Sequence, residues 1–219
     1  TYDATINGFE LLKKYGVNYS VISTVSKDTL PYAKETFEHL VHLGFKNISY
    51  SPVFDSPTGE YPSITCDEWL EYMQCVFSTW FDLGDDKIQI REICEIVSWF
   101  NQTPWPCCSS LGTCSHWLVI DPVGNIFPCE KLGKEICFGN IMTDELTEVV
   151  SSSAYCRFTL TEKDMPNECL CCQYVNFCNN GCRQMRIKGK KFNARGKYVF
   201  CRQRRELFRT IDTRFREVL

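Results

Sequence analysis

An α/β fold followed by a small cysteine-rich module is what this chain of 219 residues predicts. Helix-period and strand-period apolar segments alternate as far as Phe100. The alternation stops after Pro104, and most of the fifteen cysteines fall between Cys107 and Cys201. We therefore expect an α/β part over residues 1–106 and a cysteine-rich part over 107–219, closed by a terminal helix.

The elements follow in order. Asp3 to Tyr15 reads as a helix with Ile6, Phe9 and Leu12 or Leu11 inward, stopped at Gly16. Val17 to Val25 follows as a strand. Asp28 is a candidate cap for a second helix, which runs to Leu43 with Leu30, Ala33, Phe37, Leu40 and Val41 on one face and Gly44 at its end. The segment NISYSPV is the next strand. A loop with Pro57, Gly59 and Pro62 leads to Thr65, which with Glu68 forms a capping box for a long aromatic helix to about Phe81. KIQIR is a short strand before a helix from Ile93 to Phe100. This βαβα order predicts a parallel sheet with right-handed crossovers. A chain that opens on a helix leaves the first strand edge without the partner a barrel would supply.

Beyond Pro104 we expect short strands, turns and one helix near Asp144 to Ser152 before the terminal one. WLVIDPVGNIFPCE reads as a β-hairpin turning at Pro122–Asn125, with Cys114 and Cys129 near its two ends. The terminal helix puts Leu207, Phe208, Ile211 and Phe215 on one side and its arginines on a solvated face.

Composition narrows the function. At 44% hydrophobic and 23% charged residues the chain reads as soluble and globular. No apolar run approaches bilayer length, and no basic segment followed by an apolar one opens the chain, so neither a membrane anchor nor a secretion signal is expected. A net charge of −3 gives no general attraction to nucleic acid, although the tail from Lys188 is basic. An odd number of cysteines in a chain long enough to build a core argues against a disulfide scaffold. Thiolates at short spacing instead suit a soft metal centre.

The spacing is specific. Cys108 precedes Cys114; Gly124 and Cys129 follow; then come Cys169-x2-Cys172-x5-Cys178-x3-Cys182 and, last, Cys201. This series resembles the SPASM domain of radical S-adenosylmethionine enzymes. The region from Thr1 to Phe100 looks like the second half of the barrel that precedes such domains in the anaerobic sulfatase-maturating enzymes. The resemblance thus implies the C-terminal half of a partial (β/α)6 radical S-adenosylmethionine barrel, followed by a SPASM domain with its hairpin and C-terminal helix.

The resemblance also implies two auxiliary 4Fe–4S clusters. Carried over by position, Cys108, Cys114, Cys129 and Cys182 would hold one, and Cys169, Cys172, Cys178 and Cys201 the other. The thiols would then stand in for a hydrophobic core and couple folding to cluster binding. Cys107 and Cys171 adjoin proposed ligands and could replace them. With Cys66, Cys75, Cys94, Cys137 and Cys156 they are otherwise expected as buried small hydrophobes.

Three further residues are candidates, Glu130 and Phe54 through the resemblance and Arg91 through its place at the open end of the sheet, where ligands of α/β folds collect. Glu130, directly after Cys129, stands where an aspartate of the maturating enzymes is implicated as the base that takes a proton from the substrate residue; a solvated hairpin glutamate is the alternative. Phe54 aligns with a position whose backbone meets the adenine of S-adenosylmethionine, and is otherwise a core aromatic. Arg91, at the end of KIQIR, faces substrate or makes a surface salt bridge. His39, His42 and His116 show no metal spacing and read as structural.

The barrel-like half has no Cys-x3-Cys-x2-Cys motif, which holds the catalytic cluster in radical S-adenosylmethionine enzymes. The chain is therefore expected to be inactive alone, as the C-terminal part of a longer enzyme. Only that full-length enzyme would bring S-adenosylmethionine and a third 4Fe–4S cluster. The implied partners are a polypeptide substrate and a reductant such as ferredoxin or flavodoxin, in the cytoplasm; neither membrane nor nucleic acid is expected. Oxidation of a cysteine or serine side chain and peptide crosslinking are both open as the reaction. A zinc-stapled binding module and a pure electron-transfer protein are the rival classes.

Overall fold

The structure, a computed structural model, describes residues 2–54, 63–103, 107–132, 136–161, 164–188, 191–193 and 195–218. The loop expected around Pro57, Gly59 and Pro62 lies outside them. The chain divides into two compact units, Thr1–Asn101 with Glu206–Leu219, and Gln102–Arg205. Among the described residues no helix is long and apolar enough to cross a membrane.

The first unit is built on a parallel sheet, β1 (Val21–Val25), β2 (Asn47–Pro52) and β3 (Gln89–Ile90), in the order β1-β2-β3. Val21 lies beside Ile48 and Asn47 beside Gln89. The helices are α1 (Tyr2–Lys14), α2 (Ala33–His42), α3 (Cys66–Leu83) and α4 (Arg91–Phe100). Parallel pairing is what the βαβα order requires. The capping box on α3 is present: Glu68 N donates to Thr65 Oγ1 at 3.2 Å, and Thr65 N to Glu68 Oε2 at 2.7 Å. The core holds Phe9, Val25, Phe37, Ile48, Tyr50, Met73, Val76, Ile90 and Ile93. Phe9 packs on Phe45 at 4.3 Å between ring centres.

Several local expectations are corrected. In α1 Phe9 is buried but Leu11 and Leu12 are exposed, so the helix touches the core through a narrow stripe. The first strand starts at Val21 rather than Val17, because Val17 N closes the end of α1 by donating to Leu12 O at 3.1 Å, with Gly16 at φ +62°. Asp28 does not cap α2. Pro31 fixes a 3-10 turn at Leu30–Tyr32 ahead of it, and Thr29 Oγ1 accepts from Ser26 N at 2.8 Å. In KIQIR only Gln89 and Ile90 are strand, and Arg91 is the first residue of α4.

The terminal helix α10 (Cys201–Arg216) starts in the second unit and completes the first. Leu207, Phe208 and Ile211 are buried. The Phe215 ring lies 5.4 Å from that of Phe81, and Gln74 Nε2 donates to Thr210 Oγ1 at 3.1 Å. Arg209, Arg214 and Arg216 pair with Glu206, Glu217 and Asp212 along the exposed face. These pairs are what a solvated helix face provides.

The second unit opens with α5 (Cys108–Leu111). The expected hairpin is there as β4 (Val119–Ile120) against β5 (Asn125–Phe127). Its turn is held by Asp121 Oδ1, which accepts from Val123 N at 3.0 Å and Asn125 N at 2.9 Å, with Gly124 at φ +90°. A third strand, β6 (Gly139–Asn140), adds to β5. The one helix expected near Asp144 to Ser152 is instead two, α6 (Leu146–Val149) and α7 (Ser153–Leu160). Ser152 separates them, its side chain capping α7 through Tyr155 N at 3.2 Å. Then come the single turns α8 (Asn167–Leu170) and α9 (Val175–Cys178). A second antiparallel sheet follows, β7 (Arg186–Lys188), β8 (Lys191–Phe192) and β9 (Lys197–Tyr198), with β7 central. Ile126, Phe138, Val149 and Phe158 form an apolar core, with Cys114 and Leu118 at its margin. The thiols supplement a small core rather than replacing one.

Candidate metal centre

None of the fifteen cysteines forms a disulfide. Cys169 lies on α8, Cys172 just beyond it, Cys178 at the end of α9, and Cys201 at the start of α10. Two hydrogen bonds bend this segment tightly, Cys172 N to Cys169 O at 3.0 Å and Cys178 N to Tyr174 O at 2.8 Å. Burial pushes the Cys169 thiol up, and Cys201, Cys178 and Cys172 add to it. Burial likewise raises Cys201; Cys178 and Cys172 reinforce the rise, while Lys197 and Arg205 oppose it. The fold thus brings these four thiols within electrostatic reach of one another.

A second group forms around Cys108. Its thiol is held up by a hydrogen bond with Cys107, then by burial, then by the charges of Cys107, Cys114 and Cys182. Cys107 Sγ also lies 3.3 Å from Ser109 Oγ. Cys129 is half-buried beyond β5, its carbonyl accepting from Leu132 N at 3.2 Å.

The two groups are tied at one turn. Asn179, Asn180 and Gly181, the three residues between Cys178 and Cys182, all lie in the left-handed region, with φ of +46°, +60° and +58°. Asn179 Nδ2 donates to Ser110 O at 2.6 Å, docking α9 on α5. Asn180 is buried; its Oδ1 accepts from Tyr198 N at 3.0 Å and lies 3.6 Å from Cys169 Sγ. Arg183 is buried against Phe158, its guanidinium 4.2 Å from the ring centre, and donates to Phe158 O at 2.9 Å and Thr161 Oγ1 at 2.7 Å. Arg204 Nη2 donates to Ser110 Oγ at 3.0 Å. None of these supporting residues was singled out from the sequence. The run Asn-Asn-Gly between two cysteines was the available signal, since asparagine and glycine tolerate positive φ best.

The donor chemistry fits an iron–sulfur cluster. Four thiolates saturate a 4Fe–4S cubane and leave no iron open. Among the described residues no three His, Cys, Asp or Glu side chains are set as a single-ion site. A cubane binds each thiolate at a different corner iron, so its ligands stand further apart than those of one ion.

The other candidate residues are dispersed. Glu130 is exposed and opens a 3-10 turn, Glu130–Leu132, directly after Cys129. Phe54 is half-buried just past β2. Arg91 donates from Nη2 to Glu92 Oε1 at 2.6 Å. Burial raises the Glu92 carboxyl, against the pull of Arg91, and Glu92 Oε2 accepts from Tyr50 N at 3.2 Å. Glu92 was not anticipated. His39 Nε2 lies 2.8 Å from Tyr2 OH, and His116 Nδ1 lies 3.1 Å from Thr113 Oγ1. The cysteines expected as buried hydrophobes are not buried: Cys75, Cys137, Cys156 and Cys171 are exposed, and Cys66, Cys94 and Cys107 are half-buried. Cys75, Cys94 and Cys156 lie within α3, α4 and α7, Cys66 opens α3, and Cys107, Cys137 and Cys171 lie outside the helices.

Comparison with known proteins agrees with this chemistry. The model of SPASM, an iron–sulfur cluster-binding domain, matches residues 107–173. The second unit carries a SPASM domain. Cys108, Cys114, Cys129, Cys169 and Cys172 lie inside the matched segment of the SPASM domain, and Cys178, Cys182 and Cys201 lie beyond it. Over 215 residues the chain is 20% identical to the cysteine-type anaerobic sulfatase-maturating enzyme of Clostridium perfringens, covering 95% of this chain and 58% of that enzyme. It is 21% identical over 219 residues to the serine-type enzyme of Bacteroides thetaiotaomicron, covering 90% of this chain and 52% of that one. The chain therefore spans little more than half the length of these relatives. A solved structure described as native anSMEcpe with bound AdoMet and Cp18Cys peptide shares its fold over 100% of this chain and 62% of that one, with a TM-score of 0.84 at 20% identity. The chain thus shares the α/β fold of that solved structure along its whole length.

Proposed function

We propose that the chain is the auxiliary-cluster part of a radical S-adenosylmethionine enzyme that modifies a polypeptide. The observation that carries this reading is the gathering of cysteine thiols into two groups on a SPASM-bearing unit. Cys108, Cys114, Cys129 and Cys182 would hold one 4Fe–4S cluster, and Cys169, Cys172, Cys178 and Cys201 the other. When bound, such clusters supply electron acceptance close to the reacting carbon. We read residues 1–106 as the C-terminal half of a partial (β/α)6 barrel and residues 107–219 as the SPASM domain with its helix. Cleavage of S-adenosylmethionine falls to a third cluster held outside these residues, so the chain alone is expected to release no 5'-deoxyadenosine. Phe54 would stand near the adenine and Arg91 near the substrate. A cytoplasmic setting with a ferredoxin- or flavodoxin-like reductant fits the chemistry.

Metal analysis after anaerobic reconstitution tests the reading. About eight irons per chain, with matching acid-labile sulfide, is the expected result. Two zincs and no iron would overturn it in favour of a zinc-stapled module.

Glu130 is the proposed base. Oxidising a substrate carbon radical requires a proton acceptor and an electron acceptor side by side. Glu130 meets the first need one residue from Cys129, on the exposed side of its turn. In the full-length enzyme Glu130→Gln is expected to keep every cluster and still cleave S-adenosylmethionine, yet lose product by about 100-fold, the size of a general-base contribution. Unchanged product yield would make Glu130 a surface residue. A partial loss would favour crosslinking over side-chain oxidation as the reaction.

A further inference from the structure

We infer that Arg186 is a positioning residue for both thiolate groups: its guanidinium locks the turn between Cys178 and Cys182 and sets a fixed positive charge beside the two clusters, raising their reduction potentials. The inference rests on the cluster reading above. Arg186 is 1% exposed, the largest fully buried side chain among the described residues. Its Nε donates to Asn180 O at 3.1 Å, and its Nη2 to Asn179 O at 3.0 Å and Gly181 O at 3.3 Å. Those three carbonyls are the whole spacer between Cys178 and Cys182. Nη1 reaches Asp164 O at 3.2 Å. One planar fork thus holds three successive left-handed residues, a conformation costing about 1–2 kcal/mol per non-glycine residue. Cys178 belongs to one proposed ligand set and Cys182 to the other, so the spacing of the two clusters passes through this turn.

The charge reaches both groups as well. Burial and Arg183 lower the proton affinity of Arg186, whereas Cys114, Cys182 and Cys169 raise it, two thiols from one set and one from the other. Arginine keeps its charge in such a place. Each cluster gains one negative charge on reduction, and a buried cation stabilises that added charge more than the oxidised form. The set with two of the three thiols should feel it more.

Reconstituted wild-type protein is measured first for iron and sulfide; failure to take up iron there defeats the cluster reading itself, before Arg186 is at issue. Potentials then come from a dye-mediated titration followed by electron paramagnetic resonance. Arg186→Gln is expected to lower both potentials, by about 59 mV for the more affected cluster, a tenfold shift in its reduced-to-oxidised ratio. Arg186→Lys, which keeps the charge but not the fork, is expected to hold wild-type potentials with less iron taken up. If the Gln variant takes up no iron while the Lys variant does so at wild-type potentials, the inference stands. Unchanged potentials in the Gln variant overturn it, as does an equal fall in the Lys variant. A Lys variant that takes up no iron also overturns it, since retained charge would then count for nothing.

Discussion

Replacing Cys182 or Cys201 singly by alanine is expected to remove one cluster each, and a different one. Iron should fall from about eight to about four per chain in both variants. The reason lies in the interleaving. Cys182 follows Cys178 in the chain, yet its charge acts on Cys108, while Cys178 acts on Cys169 and Cys201. Alanine removes a thiolate that no neighbour at the same corner replaces, and a cubane with three protein ligands exposes an iron to solvent and oxidant. Cys171, exposed beside Cys172, is not among the proposed ligands. Cys107 is different, because it is hydrogen-bonded to Cys108 and is the one neighbour poised to take over a ligand role. Cys108→Ala is therefore a milder lesion than Cys182→Ala. Electron paramagnetic resonance of the reduced variants decides the assignment. Two distinct surviving signals agree with it, and the same survivor in both defeats it.

How far the molecule could be read from its residues depended on where the determining contacts lie. The capping box at Thr65 and Glu68 and the turn at Gly124 were legible because each is closed by atoms a few residues apart. The SPASM domain was legible for a similar reason: covalent spacing along the chain limits which thiols can converge. Local rules failed where a neighbour intervened. Asp28 is a good capping residue, but Pro31 reset the start of the turn; Leu11 and Leu12 fit a helical stripe, but α1 meets its core only through Phe9 and Ile6. The supporting shell was the least visible. Arg186 looked like one more basic residue of a basic tail, and only the fold reveals that its Nε and Nη2 donate to three consecutive carbonyls. Buried arginine is rare enough that composition assigns such residues to the surface by default.

Gly112→Ala is expected to cost the protein the cluster of the Cys108 set and several kcal/mol of stability. Gly112 lies between Cys108 and Cys114 at φ +67°, where alanine costs about 1–2 kcal/mol. An added Cβ would stand 2.5 Å from Asn179 Cβ and 3.4 Å from Asn179 O. Asn179 has no room to yield. It is itself left-handed at φ +46°, its side chain donates to Ser110 O, and its carbonyl accepts from Arg186 Nη2 at 3.0 Å. Relief must come from lifting α5 off α9, which carries Cys108 away from Cys182. Overpacking of this kind adds about 1–3 kcal/mol. Gly44→Ala is the matched control, because Gly44 is also left-handed, at φ +90°, but an added Cβ there meets nothing within 4 Å. It should pay only the conformational part and keep every iron. Urea unfolding with iron analysis separates the two outcomes. A Gly112→Ala protein that holds both clusters and loses no more stability than Gly44→Ala would mean that the α5–α9 contact does not set the position of Cys108.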